Sequence, residues 1–269
     1  MGAFSTMITL CKVCGTSYAF LDAPSECCEI CADERQYVPV AGQQWVEWPT
    51  LIATHTNKWK QFKDNIFSIT TVPEFAINQR AFILKTANGN ILWDCIAVLD
   101  DATKTLISSL GGLKAIAISH PHFYTTMQEW AAEFNAPVYL HSSDRQWVMR
   151  GSPYITFWDG DSLQLAPDVR LIHLGGHFSG GSVLHWEQGD GILFSGDIVQ
   201  VTPGGKNVSF MWSYPNLLPL SAETVRSIMN RLSIVKYSQI YGAFEGREIT
   251  EHADNIVQFS GQKYIDCLK

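Results

Sequence analysis

Beyond residue 65, short apolar runs bounded by Gly, Asn and Asp alternate with stretches of helical period; before it, no such period is visible. Residues 66–71 and 81–86 carry β-branched and aromatic side chains suited to strands, and Asn88-Gly89 ahead of 91–95 predicts a hairpin with a type I′ turn. Asp100 and Asp101 stand where a helix N-cap belongs, and Gly111-Gly112 stops that helix. The mostly apolar residues 113–118 predict a buried strand, 125–134 a helix and 137–140 a further strand, while Ser142 or Ser143 can cap a short helix reaching Met149. Residues 169–174, 182–186 and 191–194 form a strand-rich run, and 221–232 and 248–264 are predicted helices flanking a strand at 239–241. Strands with helices before, between and after them predict a layered α/β (α+β) body with helices outside the sheets. The Trp-rich residues 45–64, with Trp45, Trp48 and Trp59, are expected to wrap over that body.

A chain of 269 residues suffices for one large core with a small appendage. Its net charge of −7 argues against nucleic acid as the main partner. No apolar run approaches the ~20 residues of a membrane span, so no membrane association is expected. The first residues show no charged-then-apolar leader, which makes the cytoplasm the expected compartment. Oligomeric state is left open.

Five of the seven cysteines (Cys11, Cys14, Cys27, Cys28, Cys31) fall early, and an odd, clustered set suits metal binding better than a disulfide framework. Cys11-Lys-Val-Cys14 and Cys28-Glu-Ile-Cys31 are paired Cys-x2-Cys turns with thirteen residues between them, the pattern of a rubredoxin-like or zinc-ribbon knuckle. A structural zinc on these four thiolates would supply much of the folding free energy of a segment too short for its own core. Iron there would instead imply electron transfer. Cys27 also makes a Cys-x3-Cys with Cys31, but Cys28 gives the better knuckle; Cys95 is expected in the core and Cys267 in the tail. The domains expected are a knuckle over 1–45 and the main body over 46–269.

His120 and His122, just after the predicted strand at 113–118, can aim two imidazoles at one point, and neutral imidazole is the commonest metal ligand. His177 in Leu-Gly-Gly-His-Phe-Ser-Gly-Gly and Asp197 in Phe-Ser-Gly-Asp each follow glycine beside an apolar strand, where backbone can approach a metal closely. His55, His141, His185 and His252 are read as hydrogen-bonded core residues, and His173, four residues before His177, as structural or as a support for the metal ligands.

These segments, in their order and spacing, together with Leu92-Trp93-Asp94, resemble the metallo-β-lactamase-fold hydrolases over residues 62–265. The resemblance implies a four-layer αββα sandwich with metal at one edge of the paired sheets. The family's first motif reads His-x-His-x-Asp-His, and here Tyr124 and Thr125 stand at its last two positions; residues 241–246 lack the family's final histidine. One ion is therefore expected, zinc or another divalent metal, on His120, His122 and His177 with Asp197 adjacent as a ligand. Tyr124 or Glu245 could partly replace the missing ligands. The implied activity is attack by a metal-bound hydroxide on an ester, lactone, thioester or amide-like carbonyl of a small molecule. Asp197 would orient the water, take its proton or bind the metal, and Tyr124 would donate to the developing oxyanion. Phe123, Phe178, Phe210, Met211 and Trp212 are expected at an apolar pocket rim. The rival reading is a non-catalytic or regulatory descendant that binds a ligand. A redox protein ranks last, because the fold's di-iron relatives carry a glutamate and an aspartate in the first motif and this chain has neither.

Overall fold

The computed structural model describes residues 8–19, 22 and 26–269. Backbone contacts divide the chain into two compact units, one of Met1–Ile116, Pro121–Val138 and Gln146–Ile155, the other of Ala117–His120, Tyr139–Arg145 and Thr156–Lys269.

In the first unit a three-stranded sheet, ordered β2-β1-β3, joins β1 (Ile8–Cys11), β2 (Ser17–Ala19) and β3 (Trp45–Glu47). A one-turn helix, α1 (Glu29–Ala32), carries the last knuckle cysteine. Ile8 and Leu10 pack with Leu51 of α2 (Trp48–Thr54) and with Ala97 and Val98, and Trp48 Nε1 donates to the Ala97 carbonyl at 2.9 Å. The residues expected to wrap the body are thus ordered elements. Trp59 lies on β4 (Thr56–Lys63), which pairs antiparallel with β5 (Ile66–Val72). Its sequence, Thr-Asn-Lys-Trp-Lys-Gln-Phe-Lys, hides a strand because it is the exposed edge, where lysines protect against further pairing.

β5 continues through β6 (Arg80–Thr86) to β7 (Gly89–Trp93). The predicted hairpin forms, but its left-handed residue is Gly89 (φ 113°) and not Asn88, so the turn is not type I′. β8 (Ala115–Ala117), β9 (Val138–His141) and β10 (Ile155–Trp158) complete a seven-stranded sheet ordered β10-β9-β8-β7-β6-β5-β4. Helix α3 (Asp101–Ser109) is capped by Asp100, which accepts from Thr103 N at 2.8 Å and also from Thr56 Oγ1 and Asn57 N, fastening the edge strand to the helix. α4 (Met127–Phe134) follows the two-histidine loop, and Trp130 Nε1 donates to the Ile96 carbonyl. Residues Ser142–Trp147 form a 3₁₀ helix, slightly shorter than the helix expected there.

The second unit contains a six-stranded sheet ordered β11-β12-β13-β14-β19-β20. Its strands are β11 (Ser162–Ala166), β12 (Val169–His173), β13 (Ser182–Trp186), β14 (Ile192–Gly196), β19 (Gln239–Gly242) and β20 (Glu248–Ile249). All pairings are antiparallel except β14 with β19. Between β14 and β19, residues 200–219 fold into two small pairs: β15 (Gln200–Val201) with β16 (Val208–Ser209), and β17 (Met211–Ser213) with β18 (Leu218–Pro219). α5 (Ala222–Ser233) is capped by Ser221, and α6 is Ala253–Cys267. Val225, Ile228, Val257 and Ile265 from these helices share a core with Leu193 and Ile240. The helix expected from 248 starts only at 253, because Glu248 and Ile249 pair with Tyr241 and Ile240 instead. A strand edge offers their backbone hydrogen bonds that local sequence does not reveal. Among the described residues no helix is long and apolar enough to cross a membrane.

Candidate metal centres

β8 runs into Ser119 and His120, and Pro121–Phe123 closes a 3₁₀ turn that carries His122. His177 sits between β12 and β13 in a turn that only glycine permits: a Cβ on Gly181 would lie 2.6 Å from the Gly175 carbonyl. One ring nitrogen from each of His120, His122 and His177 lies within 4.8 Å of the other two, with side chains 1%, 3% and 0% exposed. Zn–N bonds of ~2.0–2.1 Å place tetrahedral nitrogens roughly 3.3 Å apart, so small side-chain shifts let this donor set hold one divalent ion. The rings are oriented from behind. His120 Nδ1 is 2.9 Å from Ser119 Oγ, and His177 Nδ1 is 2.8 Å from the Trp212 carbonyl, to which it can only donate. That bond fixes the His177 tautomer and makes Nε2 the basic, ligand-type nitrogen. Phe178 packs on both rings, with centroids 5.5 Å from His120 and 5.1 Å from His177.

Asp197 follows β14 and is buried, but among the described residues the ligand atoms grouped within 4.8 Å of one another at this point are those of the three histidines. Its carbonyl accepts from the Tyr214 hydroxyl at 2.9 Å, and the Tyr214 ring lies 5.4 Å from that of His177. Burial, reinforced by the Asp197 carboxylate, pushes the Tyr214 phenol well above its ordinary range, so it stays a donor. Nothing in the sequence marks Tyr214, which reaches the centre on a short strand-pair turn. Tyr124 is buried, and its backbone N–H closes the 3₁₀ turn onto the Pro121 carbonyl. Glu245 is exposed in the turn after β19. Asp94 (φ 57°) and Thr125 (φ 36°) both hold left-handed backbone, which for non-glycine residues is uncommon and clusters at functional loops.

Of the aromatic residues expected at a pocket rim, Phe123, Phe178 and Phe210 are instead fully buried, since their packing against neighbouring elements removes more apolar surface than a rim position would. Trp212 is half-buried and, with Gly176, Pro219 and Leu220, lines a cavity of about 510 Å³. His173 stacks on His141 at 3.8 Å and bonds to the Ser179 carbonyl, holding the turn that bears His177.

The Sγ atoms of Cys11, Cys14, Cys28 and Cys31 also lie within 4.8 Å of one another, with Cys11–Cys31 and Cys14–Cys28 each at 3.6 Å. Zn–S bonds of ~2.3 Å imply S···S separations of roughly 3.8 Å, so the cluster fits a zinc knuckle. Val13 N and Gln43 Nε2 donate to Cys11 Sγ at 3.3 and 3.1 Å, and the Tyr18 hydroxyl lies 3.3 Å from Cys28 Sγ. Hydrogen bonds from Cys14, Cys28 and Cys31 drive the Cys11 thiol far down, while burial drives Cys14 up. Four packed sulfurs cannot all ionise unaided, and a cation removes that conflict. Cys27 is half-buried and bonds to the Cys28 carbonyl outside the cluster. Burial pushes Cys95 up to about 12, and Cys267 is exposed.

No protein-family model matches the chain. It is 43% identical over 264 residues to the uncharacterized protein YmaE of Bacillus subtilis (strain 168), covering 96% of each chain. Among solved structures it is similar to the DIM-1 metallo-β-lactamase (14% identity, TM-score 0.58, 79% of this chain and 98% of that one). It is also similar to the metallo-β-lactamase FIM-1 from Pseudomonas aeruginosa in its mono-zinc form (14% identity, TM-score 0.55, 77% and 95%). These likenesses establish the fold expected from the motifs.

Proposed function

For a chain that belongs to the family of Bacillus subtilis YmaE and carries the metallo-β-lactamase fold, we propose metal-dependent hydrolysis of a small ester, lactone, thioester or amide-like substrate. The observation that carries this reading is the convergence of His120, His122 and His177, all buried, on one point. A divalent cation bound there, zinc before others, would lower the pKa of water towards ~7 and polarise the scissile carbonyl. Ser119 and the Trp212 carbonyl hold two of the ligand rings in register. Asp197 orients the attacking water and takes its proton, and the Tyr214 hydroxyl anchors the backbone that carries it. Tyr124 donates to the oxygen on which charge develops.

We favour one ion at this centre. Tyr124 and Thr125 occupy the positions of the second-metal ligands, and Glu245 is exposed. FIM-1, of the same fold, is itself described in a mono-zinc form. Zinc in the knuckle is structural, with the knuckle in 1–45 and the catalytic domain in 46–269. The substrate is a small molecule and not a nucleic acid or a membrane. The compartment is the cytoplasm, where clustered thiols stay reduced.

The second reading, a ligand-binding descendant without turnover, draws on Asp197 standing outside the mutually close ligand group. Metal analysis and a panel of esters, lactones, thioesters and β-lactams separate the two. His122→Ala should lose one metal equivalent and all turnover, and a Cys28→Ser/Cys31→Ser variant should lose a different equivalent. Metal-loaded protein inert to the whole panel would favour the binding reading.

A further inference from the structure

The knuckle reaches the two-histidine loop through buried polar contacts. Ser17, on β2, donates its hydroxyl to the Thr125 carbonyl at 2.5 Å across 108 positions of sequence, and both residues are buried. Thr125 lies three residues beyond His122 and holds φ at 36°, which a β-branched side chain rarely tolerates unless its surroundings enforce it. Gly15, at the end of the first Cys-x2-Cys turn, comes close to it: a Cβ there would stand 3.3 Å from Thr125 Cγ2. Arg150 holds Ser17 in turn. Its Nε and Nη2 donate to Ser17 Oγ at 3.2 and 3.0 Å, and its guanidinium forks onto Glu129 at 2.9 and 2.6 Å and reaches Gln128 at 3.0 Å, both on α4. The segment after His122 is therefore clamped to β2 at its carbonyl and at the helix it enters.

β2 in turn depends on the knuckle. Cys11 N–H bonds to the Thr16 carbonyl and Gly15 N–H to the Cys11 carbonyl, so the first cysteine turn and the residue before Ser17 form one hydrogen-bonded unit. The sulfurs that a cation would tie together close that unit from inside. A loop this short keeps its shape through its metal.

We propose that Ser17 and Arg150 are positioning residues that couple the four-cysteine site to His122, so that the three-histidine centre holds its metal tightly only when the knuckle is loaded. The proposal rests on the metal-centre reading above and adds a dependence of one site on the other. Thermodynamic linkage makes the effect reciprocal: loading either site raises the affinity of the other by the same factor. Through this link, stripping the knuckle of metal weakens metal binding at the histidines without touching those ligands.

The test uses Co²⁺ as the probe in the whole 269-residue chain, because thiolate-to-cobalt charge transfer reports the knuckle, while ligand-field bands at shorter wavelength than those of a four-thiolate site report the histidine centre. Ser17→Ala should leave the thiolate band intact and weaken cobalt at the histidines by about 5-fold or more, the lower end of the usual coupling between two sites. Cys28→Ser/Cys31→Ser should weaken it similarly, and adding Ser17→Ala to that variant should cost nothing more, since the link is already cut. If the cysteine variant does not fold, Ser17→Ala alone decides. Unchanged histidine-site affinity in Ser17→Ala, or fully additive losses, overturns the coupling. Wild-type protein that takes up no cobalt at the histidines overturns the metal-centre reading, and the coupling with it.

Discussion

Replacing Arg150 with Met should destabilise the protein by far more than the loss of a surface ion pair. The guanidinium and the Glu129 carboxylate are 12% and 13% exposed and meet through two hydrogen bonds, the shorter 2.6 Å. Exposed pairs contribute about 0–1 kcal/mol. At an effective dielectric of 20, unit charges about 4 Å apart attract by about 4 kcal/mol, most of it set against the desolvation both have undergone. Removing the cation leaves Glu129 buried without that partner, and Ser17 and Gln128 lose a donor. The expected cost is about 3–5 kcal/mol. Arg150→Met/Glu129→Leu, which removes both charges, should recover most of it. Urea unfolding at fixed free zinc is the assay, since metal bound to the native state shifts apparent stability by mass action. A single-variant cost under ~1 kcal/mol, or a double variant as unstable as the single, would refute the reasoning that burial makes this pair costly to break.

Asp100 gives a pH-dependent case. Burial pushes its carboxyl up, but hydrogen bonds from Thr103, Thr56 and Asn57 outweigh this and hold it below the ordinary 3.8. A depressed folded pKa adds stability that is present above the unfolded value and is lost as pH falls through the folded one. Asp100→Ala should therefore cost about 1–2 kcal/mol at pH 7, shrinking only in strong acid; a difference in urea midpoint that does not narrow there contradicts it. Tyr214→Phe should cost about 0.5–1.5 kcal/mol from the lost bond to the Asp197 carbonyl and lower turnover without removing metal. Equal stability and equal turnover would show that the hydroxyl does nothing for Asp197.

The residue types able to bind metal were legible in the chain because coordination chemistry restricts them to a few side chains. Paired Cys-x2-Cys turns and His-x-His read directly, and Cys11, Cys14, Cys28 and Cys31, like His120, His122 and His177, do converge. Local rules also placed the helix stops and starts at Asp100 and Gly111, whose effects reach only a turn away. What holds those ligands could not be read. The carbonyl orienting His177 belongs to Trp212, 35 residues on, and any residue has a carbonyl; the hydroxyl holding Thr125 belongs to Ser17, 108 residues back, and serine is common everywhere. Edge strand β4 and strand β20 likewise owe their form to partners elsewhere in the chain. Side-chain chemistry is a property of the sequence, whereas backbone hydrogen bonding between distant segments exists only after folding has brought them together.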